Sequence, residues 1–246
     1  MKKPEMIIFD YWQTLCSEPN FDLPRGYRAA FEYISENPDN ITAEELYSAS
    51  EGLLKEFEQC RKLGFEVHQQ RALSCAFERF GLSFSIPINE LEQVLWDNTS
   101  AGAIMPHAAE MLSYLDKQGI RTGVISNLNW SGEALSRRLN RLLPENKFEF
   151  IIASSEYVLR KPDKRLFEIA LQKAKLPAER VWYCGDSIKY DVYGAHGADI
   201  QPVHYESGVP DARPEDGGEE KADFDYLHIH DWLELIEILE NATVSC

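Results

Sequence analysis

The chain has 246 residues, 44% of them apolar and 27% charged, and 25 basic against 41 acidic side chains leave a net charge of −16. That composition excludes a chain that is mostly disordered, and a length like this buries a core without disulfide or metal staples. The negative charge repels phosphate backbones and anionic headgroups, so no nucleic acid and no membrane surface is an expected partner.

The first apolar run stops at Asp10, too early for the hydrophobic region of an export signal, and no stretch approaches the roughly 18 apolar residues of a membrane span. Five cysteines, Cys16, Cys60, Cys75, Cys184 and Cys246, are odd in number and form no C-x-x-C pair. Reduced thiols and a cytoplasmic location are the expectation.

In chain order, Met6 to Phe9 reads as a short buried strand. From about Phe21 to Gly102 the pattern is helical almost throughout. Thr42 and Glu45 form a capping-box signature ahead of Leu46, Ala49, Leu53, Leu54 and Phe57 on one face. Further helices are expected over Glu66–Phe80, ending at Gly81, and over Asn89 to about Asn98. After Pro106 strands and helices alternate. A helix carrying Ala108, Met111, Leu112 and Leu115 precedes the strand Arg121–Ile125, and a helix over Glu133–Leu143 precedes the strand Phe148–Ala153. A helix over Asp163–Lys175, the strand Val181–Cys184, a helix near Ile188–His196 and a strand at Ile200–Val203 follow. Residues 206 to 222 read as a surface loop. Tyr226–Ile229 reads as an edge strand, and Asp231–Glu240 as a helix with Trp232, Leu235, Ile236 and Leu239 facing the sheet.

This alternation predicts an α/β fold, a Rossmann-like open parallel sheet flanked by helices. The expected division is a core of residues 1–15 and 104–246 with an all-helical domain, 16–103, inserted after the first strand.

In such sheets ligands bind beyond the carboxyl ends of the strands. The polar residues directly after the apolar runs are Asp10 with Thr14, Ser126 with Asn127, and Asp186 with Asp191 a turn later. Lys161 precedes the helix-starting Pro162. Any one of these alone is a turn or a cap. Three carboxylates on one rim repel unless a cation or protons intervene. Oxygen ligands without clustered Cys or His point to Mg²⁺. Such a set suits phosphoryl transfer, with Asp as nucleophile and the cation, Lys161 and Ser126 stabilising the phosphoryl oxygens; it equally suits holding a carboxylate.

Four segments resemble, in order, the motifs of the haloacid dehalogenase-like hydrolase superfamily. They are Ile7–Leu15, Val124–Asn127, Arg160–Asp163, and Cys184–Ser187 continuing through Asp191, Gly194 and Ala195. The helical insert occupies the place of that family's C1 cap. The resemblance implies a Mg²⁺-dependent phosphatase acting on a small phosphorylated metabolite, as monomer or homodimer. It implies Asp10 as nucleophile, Ser126 and Lys161 as phosphoryl holders, and Asp10, Asp186, Asp191 and the Trp12 carbonyl around the metal. Amides of Tyr11, Trp12 and Asn127, with Thr14, would complete the substrate cradle.

One position departs from the pattern. Family phosphatases usually carry a second aspartate two residues after the nucleophile, as general acid, and this chain has Trp12. An aromatic there is similar to the family's 2-haloacid dehalogenases, whose halide-binding arginine has only Arg25 and Arg28 as nearby counterparts. The same tryptophan is compatible with a non-catalytic phosphate-ligand binder. His107 and His196 are candidates to replace the acid, although His196, late in its helix, is better explained as a cation suiting the helix dipole. In the insert, Arg25, Arg61, His68 and Arg71 are expected on solvated helix faces.

Overall fold

The structure is a computed structural model and describes residues 1–210 and 221–243. Six parallel strands form the central sheet in the order β10-β9-β8-β1-β6-β7. They are β1 (Met6–Phe9), β6 (Arg121–Ser126), β7 (Phe148–Ala153), β8 (Val181–Gly185), β9 (Gln201–Tyr205) and β10 (Leu227–Ile229). The all-buried β1 shows why a continuous apolar run suits a central strand. Ile7 and Phe9 enter one core, while Met6 and Ile8 enter the other. Helices α6 (Ala108–Lys117), α7 (Gly132–Leu142) and α10 (Trp232–Asn241) cover the first face. Helices α8 (Lys164–Ala174) and α9 (Tyr193–His196) cover the second. Trp232, Leu235 and Leu239 are buried as expected, whereas Ile236 is only half-buried.

The chain leaves this layer and returns through a two-stranded antiparallel neck, β2 (Cys16–Ser17) against β5 (Ala103–Ile104). Between them lie α1 (Leu23–Phe31), α2 (Ala43–Glu56), α3 (Glu58–Lys62), α4 (Gln69–Arg79) and α5 (Ile88–Thr99). Thr42 and Glu45 form the capping box reciprocally at α2.

The insert is not all-helical. A short ribbon pairs β3 (Ile34–Glu36) with β4 (Ser83–Phe84), tied further by Ser83 Oγ donating to Glu36 at 2.8 Å and Ser85 N to Tyr33 O at 2.8 Å. Runs this short show no alternation to read. Helix α4 starts at Gln69, not Glu66, because Phe65 pairs antiparallel with Leu159 of the core and the chain turns helical only after His68. Glu66 N donates to Val158 O at 2.7 Å, and the His68 ring caps Gln70 N at 3.2 Å. The segment expected as one helix from Ile188 begins with a π-helical turn, Ile188–Val192, before α9. Of the loop expected over 206–222, residues 211–220 lie outside the described residues, as does Cys246. Cys16, Cys60, Cys75 and Cys184 are free thiols.

Candidate active site

Asp10 stands one residue beyond β1 and receives its place from the sheet, its amide donating to Cys184 O on β8 at 2.9 Å. The Tyr11 amide turns back to donate to Asp10 Oδ1 at 2.7 Å. Ser126 closes β6 beside it. The Ser126 hydroxyl eases ionisation of Asp10, yet the pair falls short of a well-aligned hydrogen bond and Oγ is buried without another partner among the described residues. Asp186 follows β8, and Thr14 Oγ1 donates to its Oδ1 at 3.2 Å. The π-helical turn carries Asp191 back beneath Gly185, so closely that a Cβ on that glycine would meet Asp191 Cγ at 2.2 Å.

Lys161 is the hub. Its ammonium lies 3.0 Å from Asp10 Oδ1 and 2.6 Å from Asp191 Oδ1, and donates to the Tyr183 hydroxyl at 2.9 Å. Asn127 holds the backbone of that lysine reciprocally, its Nδ2 donating to Lys161 O at 3.1 Å and its Oδ1 accepting Lys161 N at 2.8 Å. Asp191 Oδ2 accepts the Ser187 amide at 3.0 Å. Both Asp191 oxygens are therefore committed inside the protein, which makes it a support for the neighbouring carboxylates.

Burial raises the Asp10 carboxyl above its usual range; Lys161 opposes this, and the Asp191 charge adds to it. Burial, then Asp191 and Asp10, push Asp186 well above its usual range. Burial also works against the Lys161 ammonium, but Asp10 and Asp191 outweigh it and its pKa is raised. One ammonium among three carboxylates leaves the rim short of positive charge. Carboxylate oxygens of Asp10, Asp186 and Asp191 lie within 4.8 Å of one another, a donor set that fits a hard divalent cation.

The cleft above this rim is lined by Asp10, Trp12, Asn127, Lys161, Asp186 and Asp191 from the expected set. Two residues of the expected substrate cradle make contacts inside the protein. Thr14 is fully buried and bonds Asp186, so it orients a carboxylate. The Tyr11 amide, expected in the cradle, donates to Asp10 Oδ1 at 2.7 Å, and its buried side chain places the hydroxyl in a cluster with Glu18 and Arg138 Nε, the latter at 2.8 Å. His107 and His196 do not line the cleft: His107 pairs with Asp231 at 2.8 Å, and His196 stacks on Phe224 at 3.6 Å. Arg25 is spent on the carbonyls of Asn98, Asn20 and Thr99, and Arg28 on Glu44.

Other lining residues carried no sequence signal, namely Asn129, Trp130 and Tyr190, and Arg160, inside a motif segment, was given no role. Arg61 is also there, contrary to the expectation of a solvated face. It pairs with Glu66 Oε1 at 3.0 Å, and the same buried carboxylate holds Arg160 through Oε2. One carboxylate therefore aims two guanidiniums at the cleft.

A parallel sheet with an acidic rim and a buried lysine at its carboxyl ends defines a Rossmann-like α/β architecture with its site where such sheets bind ligands. The sequence profile described as haloacid dehalogenase-like hydrolase matches residues 40–204, more than half of the chain. The protein belongs to the haloacid dehalogenase-like hydrolase family. Among characterised relatives, a glyceraldehyde 3-phosphate phosphatase of Methanothermobacter thermautotrophicus is 32% identical over 136 residues, 54% of this chain and 58% of that protein. One from Pyrococcus abyssi is 25% identical over 83% of this chain and 82% of its own length. Among solved structures, a phosphatase of this family from Thermococcus onnurineus superposes with a TM-score of 0.62 at 21% identity, covering 98% of this chain and 99% of that one. A 2-haloacid dehalogenase from Pseudomonas syringae gives 0.60 at 22%, covering 98% and 99%. At those identities the superpositions speak to the fold alone.

Proposed function

We propose that the protein is a Mg²⁺-dependent phosphatase that hydrolyses a small phosphorylated metabolite through an aspartyl-phosphate on Asp10. The observation that carries this reading is the joint grip of Asp10 and Asp191 on Lys161, with Asp186 alongside. The phosphatase names of the relatives support it.

Asp10 Oδ1 is committed to Lys161 and the Tyr11 amide, so Oδ2 is the attacking oxygen. It bonds to phosphorus as the ester P–O bond breaks, and the alcohol leaves. Water then attacks the aspartyl-phosphate, releases phosphate and restores Asp10. Ser126 Oγ and the Lys161 ammonium donate to the phosphoryl oxygens, and the amides of Trp12 and Asn127 add to that cradle. Asp10 and Asp186, with the Trp12 carbonyl and with Asp191 in support, would hold Mg²⁺, which supplies positive charge to the phosphoryl group. Arg61 and Arg160 favour an anionic substrate, and the mostly helical insert, residues 16–103, acts as the cap that selects it. Trp12 has no acidic proton to give, so the leaving group takes its proton from water and esters of acidic alcohols turn over fastest.

The test is hydrolysis of an aryl phosphate with Mg²⁺ and with excess chelator. Turnover is expected only with the metal, and the Asp10→Asn variant is expected to be inactive. Equal rates for the variant and the natural chain would overturn the assignment. A second reading, a 2-haloacid dehalogenase-like enzyme, rests on the aromatic Trp12 alone. Halide release from a 2-haloacid that persists in chelator would favour it over the phosphatase.

A further inference from the structure

The carboxyl ends of β9 and β10, neighbours at one edge of the sheet, carry a second set of ligating side chains besides the acidic rim. β9 contains His204 and is followed by Glu206; β10 contains His228 and is followed by His230. Residues two apart on a strand share a face. The parallel register places His228 directly against His204, and Glu206 N donates to Ile229 O at 2.9 Å, which continues the pairing past the strand ends. The sequence therefore writes H-x-E beside H-x-H on one face of a sheet edge.

Ligand atoms of His204, Glu206 and His228 all lie within 4.8 Å of one another. The His204 and His228 rings stack at 4.8 Å, and the His230 ring lies 4.6 Å from His228. Glu206 Oε2 is 2.8 Å from His228 Nε2 and 3.9 Å from His230 Nδ1. Ligands each about 2.0–2.1 Å from zinc stand only about 3.3 Å apart in a tetrahedron, so side-chain rotation alone closes the set.

The orientation of His204 is the second, independent observation. Its Nε2 is 2.8 Å from the backbone carbonyl of Asp186. A carbonyl only accepts, so Nε2 carries the proton and Nδ1 is the nitrogen with a lone pair. A ligating histidine is typically fixed in just this way, with its second ring nitrogen donating to a backbone carbonyl. Glu206, His228 and His230 are exposed, which leaves the site an entry path.

We propose that His204, Glu206 and His228, with His230 as an auxiliary ligand, form a binding site for a divalent transition metal of the zinc class. Two or three imidazoles with one carboxylate select zinc, cobalt or nickel over magnesium, the reverse of the all-oxygen rim around Asp10. The proposal does not depend on the phosphatase reading, since its readout is binding.

The test uses the full chain carrying Asp10→Asn, which weakens the acidic rim, titrated with Zn²⁺ by calorimetry in excess Mg²⁺ and, separately, with Co²⁺ by visible absorption. One equivalent of Zn²⁺ is expected to bind in the micromolar range or tighter, with Co²⁺ developing ligand-field bands typical of mixed nitrogen and oxygen donors. Adding His228→Ala is expected to weaken binding by at least about 100-fold and to abolish the bands, because loss of a ligand exceeds the 10–100-fold effect of losing an outer partner. His230→Ala is expected to weaken it less. His228 and His230 are exposed, so these variants keep the fold whatever His204→Ala does. Binding only at millimolar Zn²⁺, or binding unchanged by His228→Ala, would overturn the proposal.

Discussion

Replacing Asp186 with asparagine removes one charge from the acidic rim and keeps the size of the side chain. Burial, then Asp191 and Asp10, raise the Asp186 carboxyl well above its usual range, so its ionised form is held at a cost. The three carboxylates offer oxygens within 4.8 Å of one another. Two like charges at that separation repel by roughly 3–4 kcal/mol at an effective dielectric constant of about 20. Lys161 offsets part of this, and protonation caps the rest, so the substitution is expected to stabilise the metal-free protein by on the order of 1–2 kcal/mol at pH 7. For a chain of this size that is a rise in Tm of about 2–8 °C, read by calorimetry in excess chelator. The sign with pH is fixed by the same shifts. Asp10 and Asp186 have folded pKa values raised above the unfolded ones, so between the two the native state binds more protons and stability falls as pH rises. The metal-free natural chain is thus expected to lose stability from mildly acidic toward neutral pH, and Asp186→Asn to flatten that slope. Mg²⁺ at about 100 times its Kd should restore about 2.7 kcal/mol to the natural chain at neutral pH and much less to the variant. A variant that melts below the natural chain in chelator and keeps the full Mg²⁺ response would refute this account of the rim.

Lys161→Met leaves Asp10 and Asp191 facing each other without their buried cation; a loss of about 3–5 kcal/mol in urea unfolding is expected, with loss of aryl phosphatase activity. Glu66→Gln removes the charge that aims Arg61 and Arg160, both partly exposed, and should cost about 1–3 kcal/mol while raising KM for anionic substrates more than it lowers kcat. Trp12→Asp supplies a proton donor at the cleft wall, and should raise kcat/KM for esters of weakly acidic alcohols by up to about 10²–10⁴-fold while leaving aryl phosphates nearly unchanged.

The sheet was legible where its strands are apolar and buried: Met6–Phe9 is an uninterrupted apolar run, Val124–Ile125 leads into Ser126, and Phe148–Ala153 is bounded as read. The rim was legible because Asp10, Ser126 and Asp186 stand at strand ends, where topology forces convergence. Tyr183 was not, since a tyrosine within a fully buried strand reads as core, and only strand register brings its hydroxyl to Lys161. Arg61 was illegible for a related reason. A charged residue in a five-residue helix reads as solvated, and only the Gly64–Glu66 segment, docked on Val158 and Arg160, turns it toward the cleft.

That docking bears on how a substrate enters. Three backbone hydrogen bonds join the insert to the core beside the cleft: Glu66 N to Val158 O at 2.7 Å, Arg160 N to Gly64 O at 2.9 Å, and Gln69 N to Asn129 O at 2.7 Å. Trp96 of α5 stacks on Trp130 at 5.0 Å with the rings nearly parallel. Exchanging these hydrogen bonds for water costs about 1 kcal/mol each, and parting the rings adds about 0.5–1.5 kcal/mol. Opening the insert also breaks the Glu66–Arg160 ion pair and the hydrogen bonds of Ser131 to Glu92, so the insert rests closed on the core. A ligand that spans Lys161 below and Arg61 above gains contacts only in the closed form. The buried Glu66 carboxylate, which joins the insert's Arg61 to the core's Arg160 and Ser154, is thus both a latch for the insert and the support of the cleft's cationic wall.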